Sequence, residues 1–128
     1  MEIDLNGHKI LTIWAADCAE HVLYIFENNT TDDRPRKAIE AARAWVRGEI
    51  KITEVRKFAF AAHAAARSAG SAESMAAARA AGHAAATAHV PGHAKHAAAY
   101  ALKASIDKTE EREWQLQNIP EQYKSLID

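Results

Sequence analysis

The sequence predicts an all-α fold, a compact alanine-rich bundle of about five helices followed by a short helical tail, and three observations predict it. Alanine makes up roughly a quarter of the chain, well above its ordinary share. It is the best helix former, because it has no side-chain rotamers to lose on ordering. Apolar residues recur at spacings of three and four, and caps or breakers stand where each periodic stretch stops. The 128 residues suffice for one core. Residues 8–128 are expected to form a single helical domain behind a lead-in at 1–7.

Helix one is expected from His8 to Glu27, entered at Asn6 or Gly7. Leu11, Trp14, Ala15, Cys18, Val22, Ile25 and Phe26 share one face, and their size points to a central position. Asn28 to Asp33 reads as a loop. Asp33 is the expected N-cap of helix two, and Pro35 fits its first turn, where a missing N–H costs nothing. That helix runs to Arg47 with Gly48 as its stop, burying Ala38, Ile39, Ala42, Trp45 and Val46. Thr53 is the expected cap of helix three, which ends near Gly70 and buries Val55, Phe58, Ala59, Ala62 and Ala66.

Ser71 is the expected cap of helix four, which runs to about His89 with Met75, Ala78, Gly82 and Ala85 in line. Gly82 in mid-helix costs about 1 kcal/mol relative to alanine. A close backbone approach by a neighbouring helix would explain it. Val90-Pro91-Gly92 breaks or kinks the chain, since proline lacks a donor and clashes with the preceding turn. Helix five follows from His93 through Ala104. With no glycine or proline before Pro120, it is free to continue to Gln117. Pro120 to Asp128 is the tail.

The formal charge of −1 gives no global pull toward nucleic acid or anionic membrane. No apolar run reaches the roughly 20 residues that a membrane span needs. Met1 to Ile10 carries Glu2, Asp4 and His8 instead of a basic segment before an apolar one, so a cytoplasmic location is expected. The lone Cys18 leaves no internal disulfide or cysteine zinc cage, and its place on the apolar stripe makes it a core residue. There is no Walker loop, Rossmann glycine fingerprint, G-x-S-x-G elbow or C-x-x-C pair. No catalytic activity and no cofactor are therefore expected.

Three groups of polar residues deserve weighing as sites. His89, His93 and His96 stand at i, i+4 and i+7, and neutral imidazoles on one helix face are the ligand set zinc prefers. Pro91 and Gly92 fall inside that span and no carboxylate is adjacent, so hydrogen-bonded histidines at a helix interface are the favoured reading, and no metal is assigned. Asp17, Glu20 and His21 form a second group. Asp17 and His21, one turn apart, are expected to bond to each other, a contact that stabilises a helix and does nothing else. The third group is the segment from Arg34 to Lys57, where Arg34, Arg36, Lys37, Arg43, Arg47, Lys51, Arg56 and Lys57 face only Glu40, Glu49 and Glu54. It suits an acidic partner, with Arg36, Arg43 and Arg47 as the first residues to examine. Only Trp45 is interleaved there, and periodicity gives it to the core, so nucleic-acid binding is not expected.

Several stretches resemble the putative immunity protein family, small helical proteins that accompany bacterial toxin systems. They are Trp14 to Leu23, Asp32 to Arg36 leading into Ala44 to Ile50, Gly82 to Val90, Ala97 to Ala104, and the Glu113-Trp114-Gln115 segment. The resemblance implies a helical domain that binds and neutralises a cognate toxin, and it brings no catalytic residues. Two other functions stay open on the residues alone. One is a metal-dependent or histidine-based enzyme built on His63, His83, His89, His93 and His96. The other is a structural protein whose alanine-lined faces self-associate, as a homodimer for instance.

Overall fold

The computed structural model describes residues 2–127; Met1 of the expected lead-in and Asp128 of the expected tail lie outside them. Among the described residues six α-helices form in order: α1 (Leu5–Glu27), α2 (Arg34–Val46), α3 (Ile52–Arg67), α4 (Ala72–Thr87), α5 (His93–Ala104) and α6 (Lys108–Gln117). A 3₁₀ segment, Glu121–Leu126, ends the series. Among the described residues there is no strand, and no helix is long and apolar enough to cross a membrane.

The all-α class is as the sequence predicts, and about five helices plus a tail is loosely consistent with six α-helices and a 3₁₀ segment, the difference being a separate α6. Helix five stops at Ala104, because Ser105 turns its hydroxyl back to donate to the Ala101 carbonyl at 2.8 Å and takes an extended backbone. Two residues later the Asp107 carboxylate accepts from the Glu110 N–H at 3.0 Å and starts α6. Serine and aspartate thus compete with the helix for its own backbone groups and break it without glycine or proline.

Other helix ends follow the same local chemistry. α1 begins at Leu5, earlier than His8, because Asp4 accepts from the Gly7 N–H at 2.7 Å. Ser71 caps α4 as expected, accepting from the Ser74 N–H at 3.0 Å. That helix ends at Thr87 rather than His89. Lys51, not Thr53, precedes α3, which ends at Arg67. Gly48 follows α2 at φ 75°, with Gly48 N–H on the Trp45 carbonyl and Glu49 N–H on the Ala44 carbonyl, both at 2.9 Å. These paired bonds are a Schellman closure, which needs a left-handed residue at that position.

The centre of the bundle is α4, not α1. It packs against α1, α2, α3 and α5. Ala76, Ala77, Ala78, Ala80, Ala81, Ala84 and Ala85 are all buried, and only a narrow outer strip with Met75, Arg79 and His83 is left unburied. Methyl side chains permit neighbours on every side. The larger side chains of α1 (Leu11, Trp14, Leu23, Phe26) fill the space around it. Met75 leaves the expected stripe and is 37% exposed. Gly82 does make room for a neighbour, but the neighbour is the His63 ring and not a backbone. A Cβ at Gly82 would stand 2.7 Å from both Cε1 and Nε2 of that imidazole.

α6 is attached differently. It leans on α5 and is held by buried polar contacts. Trp14 Nε1 donates to the Gln115 carbonyl at 2.9 Å, and Gln115 Nε2 donates to the Ala98 carbonyl at 2.9 Å.

Candidate functional site

The turn at Val90-Pro91-Gly92 folds α5 back along α4 and decides which histidines meet. It separates His89, exposed just beyond α4, from His93 and His96 on α5. The alignment of those three, which required an unbroken helix, therefore does not form. In its place His83 of α4 faces His93 and His96 across the hairpin, with ring centroids 5.3 and 5.4 Å away, and the latter two are 6.0 Å apart. His63 of α3 lies edge-on to His83 at 4.9 Å, and Tyr100 stacks on it at 5.2 Å. His83 Nδ1 and His93 Nδ1 are 3.1 Å apart, one ring donating its N–H to the other's lone pair.

Burial and neighbouring positive charge disfavour protonation of His63, His83 and His93. Desolvation, followed by the charges of His63, His93, His96 and Arg79, pushes the His83 pKa down to about 3. Desolvation also lowers His63, aided by Arg79 and Arg67, and lowers His93, aided by His96 and His89. His63 Nδ1 is buried without a hydrogen-bond partner among the described residues. As the rings stand, no three metal-ligating side chains among the described residues share a centre. The sequence offered His63, His83, His89, His93 and His96 as candidates but not which of them converge, which depends on the hairpin.

Arg34, Arg36, Arg43 and Arg47 of the basic segment each pair with a carboxylate within the molecule. Arg36 forms a two-pronged bond with Glu27, both contacts at 2.8 Å. Arg43 bridges Asp17 and Glu20 at 3.0 Å each, and Arg47 holds Glu49 at 2.9 Å. The face is thus mixed in charge, not basic. It also corrects the expected Asp17–His21 pair, since Asp17 turns to Arg43.

His21 turns the other way, to α6. Its Nδ1 donates to Glu111 at 2.8 and 3.1 Å, and its ring stacks on Trp114 at 3.8 Å, nearly parallel. Glu111 is only 6% exposed, so this charge-assisted contact is a latch between α1 and α6. The latch forms the wall of a groove of about 570 Å³ lined by Tyr24, Ile106, Asp107, Glu110, Glu111, Glu113 and Trp114 among others. Among the described residues no side-chain cation pairs with Asp107, Glu110 or Glu113. Ile106, at the rim, is 92% exposed and Tyr24 is 51% exposed. A shallower concavity lined by Asp17, Glu20, His21, Arg43 and Trp114 adjoins it, sharing His21 and Trp114. Sequence reading missed this site. Its only signal was the exposed Ile106 beside Asp107, which looked like the inside of a continuous helix.

Cys18 sits in the core at 0% exposure, and burial raises its thiol well above the usual range, which keeps it unreactive.

Fold and surface together define an all-α domain with an alanine core and a carboxylate-rich groove at its edge. The chain belongs to the family described as Imm-5 like putative immunity protein, which matches residues 1–122. That span takes in every stretch that carries the resemblance. No curated protein and no solved structure matches the chain.

Proposed function

We propose that this protein is a non-catalytic binding module that neutralises a cognate toxin by covering part of its surface. The family match across residues 1–122 is the observation that carries this reading. The contact surface runs from Arg43 on α2, across His21 and Trp114, into the groove between α1 and α6. Three features of that surface support it. Glu110, Glu113 and Asp107 place negative charge where a partner's lysines or arginines would find it, and complementary charge of this kind speeds encounter. Ile106 and Tyr24 supply exposed apolar area beside the charges, the usual make-up of a contact patch. Arg43, beside Asp17 and Glu20, adds a cation at the rim, so the surface presents both signs of charge to a partner.

Co-expression with toxins encoded in neighbouring genes tests the role directly. Cells carrying the toxin survive when this protein is present, and the two proteins co-purify. Survival no better than with an empty vector, for every neighbouring toxin, would remove the immunity reading. The surface is tested by Glu110→Lys with Glu113→Lys. Together they slow association by about ten-fold or more at low salt and flatten its salt dependence. An unchanged association rate would move the interface elsewhere.

A further inference from the structure

We propose that the outer sides of α3 and α5, with the narrow unburied strip of α4 between them, form a second interaction surface that docks an acidic face of a partner protein. This surface stands apart from the groove at α6 and from toxin binding. On α3, Arg56, Phe60, His63 and Arg67 fall at i, i+4, i+7 and i+11, so they share one side of the helix. The strip of α4 holds Met75, Arg79 and His83, each four residues from the last. His93, His96, Tyr100 and Lys103 make the matching stripe of α5, at i, i+3, i+7 and i+10. Ring contacts join the three stripes, with His63 at 4.9 Å and Tyr100 at 5.2 Å from His83.

Charge gives the sign of the partner. These three helices carry six lysines and arginines against Glu54 and Glu73, and neither glutamate falls on a stripe. The overall charge of −1 conceals this excess, because the compensating carboxylates lie elsewhere in the chain. Arg34, Arg36, Arg43 and Arg47 each hold a carboxylate. Arg56, Arg67, Arg79 and Lys103 hold none among the described residues. The rings between them feel that field. After burial itself, Arg79 and Arg67 disfavour a proton on His63, and no carboxylate figures among the charges acting on His63 or His83. Positive charge left unmet in this way is complementary to an anionic surface.

The apolar residues decide between carboxylates and phosphates. Phe60 is 64% exposed and Met75 37%, both among the unpaired arginines. Arginine, methionine and aromatic rings are the residues enriched where proteins meet, and aspartate and glutamate are depleted there. A single-stranded nucleic acid would instead need open ring faces on which to stack its bases. Here Arg56 lies over Phe60 at 5.9 Å, and Tyr100 has His83 stacked on it and Lys103 over it at 4.7 Å. A protein face that combines glutamates or aspartates with apolar side chains fits both features.

The probe is a helical peptide with glutamates one turn apart between leucines, and its control carries glutamines in their place. Binding is read by fluorescence anisotropy and located by amide chemical-shift changes. The glutamate peptide binds at low salt with a dissociation constant on the order of 100 µM. Physiological salt weakens it several-fold. The shifts fall on α3, α4 and α5, and the glutamine peptide binds about ten-fold more weakly or worse. Arg56→Glu with Arg67→Glu weakens binding by about ten-fold or more. Both positions are exposed, so the fold is kept, which circular dichroism verifies. Arg47→Glu, just past α2, leaves binding unchanged. The proposal is overturned by the absence of binding at about 1 mM peptide, by equal binding of the glutamine peptide, or by shifts confined to other helices. Tighter binding of an oligouridylate than of the peptide also overturns it, and assigns the face to nucleic acid.

Discussion

α4 and α6 are held by opposite means. α4 is buried on nearly every side and its contacts are methyl groups, whereas α6 is charged, touches mainly α5, and is fixed by a few buried polar atoms. The first arrangement depends on volume. Small side chains let four neighbouring helices approach, and the attraction is spread over many weak contacts. The second depends on particular donors and acceptors: Trp14 with Gln115, Gln115 with Ala98, and His21 with Glu111. A region held by volume is rigid and says little to a partner. One held by a few bonds at the edge leaves charge and apolar area facing outward.

If volume holds α4, adding it should do the most damage. Ala81→Leu inserts three carbons at a site with 0% exposure and should cost about 3 kcal/mol, measured by urea unfolding. A cost below about 0.5 kcal/mol would mean that the helix has slack around it.

Acid should act next, and again through the interior. The folded pKa of His83 is depressed to about 3 and those of His63 and His93 are lowered too. The unfolded chain therefore binds more protons below the ordinary histidine value. Stability is fully present above pH 6.5, falls as pH drops from there, and levels off for His83 near its folded pKa of about 3. After discounting for the partial exposure of the ring, its share is about 2–3 kcal/mol. Denaturation midpoints at pH 7.5, 5.5 and 4.5 check this. A His83→Gln variant should lose much of the slope, and an equal slope would assign the effect to other groups.

At the edge, Gln115→Ala removes one anchor and leaves a small cavity, for about 2 kcal/mol. The loss should appear first as faster amide exchange in α6, before the rest of the bundle loosens. Smallest of all is Arg36→Ala. Its bond to Glu27 is two-pronged, but both groups are more than a third exposed, so less than about 1 kcal/mol is expected.

The contrast also explains what could be read from the sequence. Segments ended by a residue with a fixed backbone role were legible: Pro35 opens α2, Gly48 closes it, and Ser71 caps α4. The end of helix five at Ala104 was legible too, but the choice between stopping there and running on to Gln117 was not, because Ser105 and Asp107 act only through bonds that form once the turn exists. The central place of α4 was also hidden, since a helix of alanines has no apolar stripe to contrast with a polar one. Site residues were legible in type but not in company. His93 and His96 were candidates, yet their partner is His83 and not His89, because the Pro91-Gly92 turn reverses the chain. His21 was noted beside Asp17, but its partner Glu111 lies 90 residues away. Such pairings are set by tertiary packing, and no local spacing announces them.

Hydrogen exchange on the protein alone and with a toxin identified by the co-expression test bound examines the proposed division between a rigid centre and a partner-facing edge most directly. Amides of α4 should exchange only through global unfolding in both states. Those of α6 and the facing turns of α1 should exchange faster in the free protein and slow by ten-fold or more in the complex. Equal protection of α4 and α6 in the free protein, or a footprint that leaves α6 untouched, would contradict it.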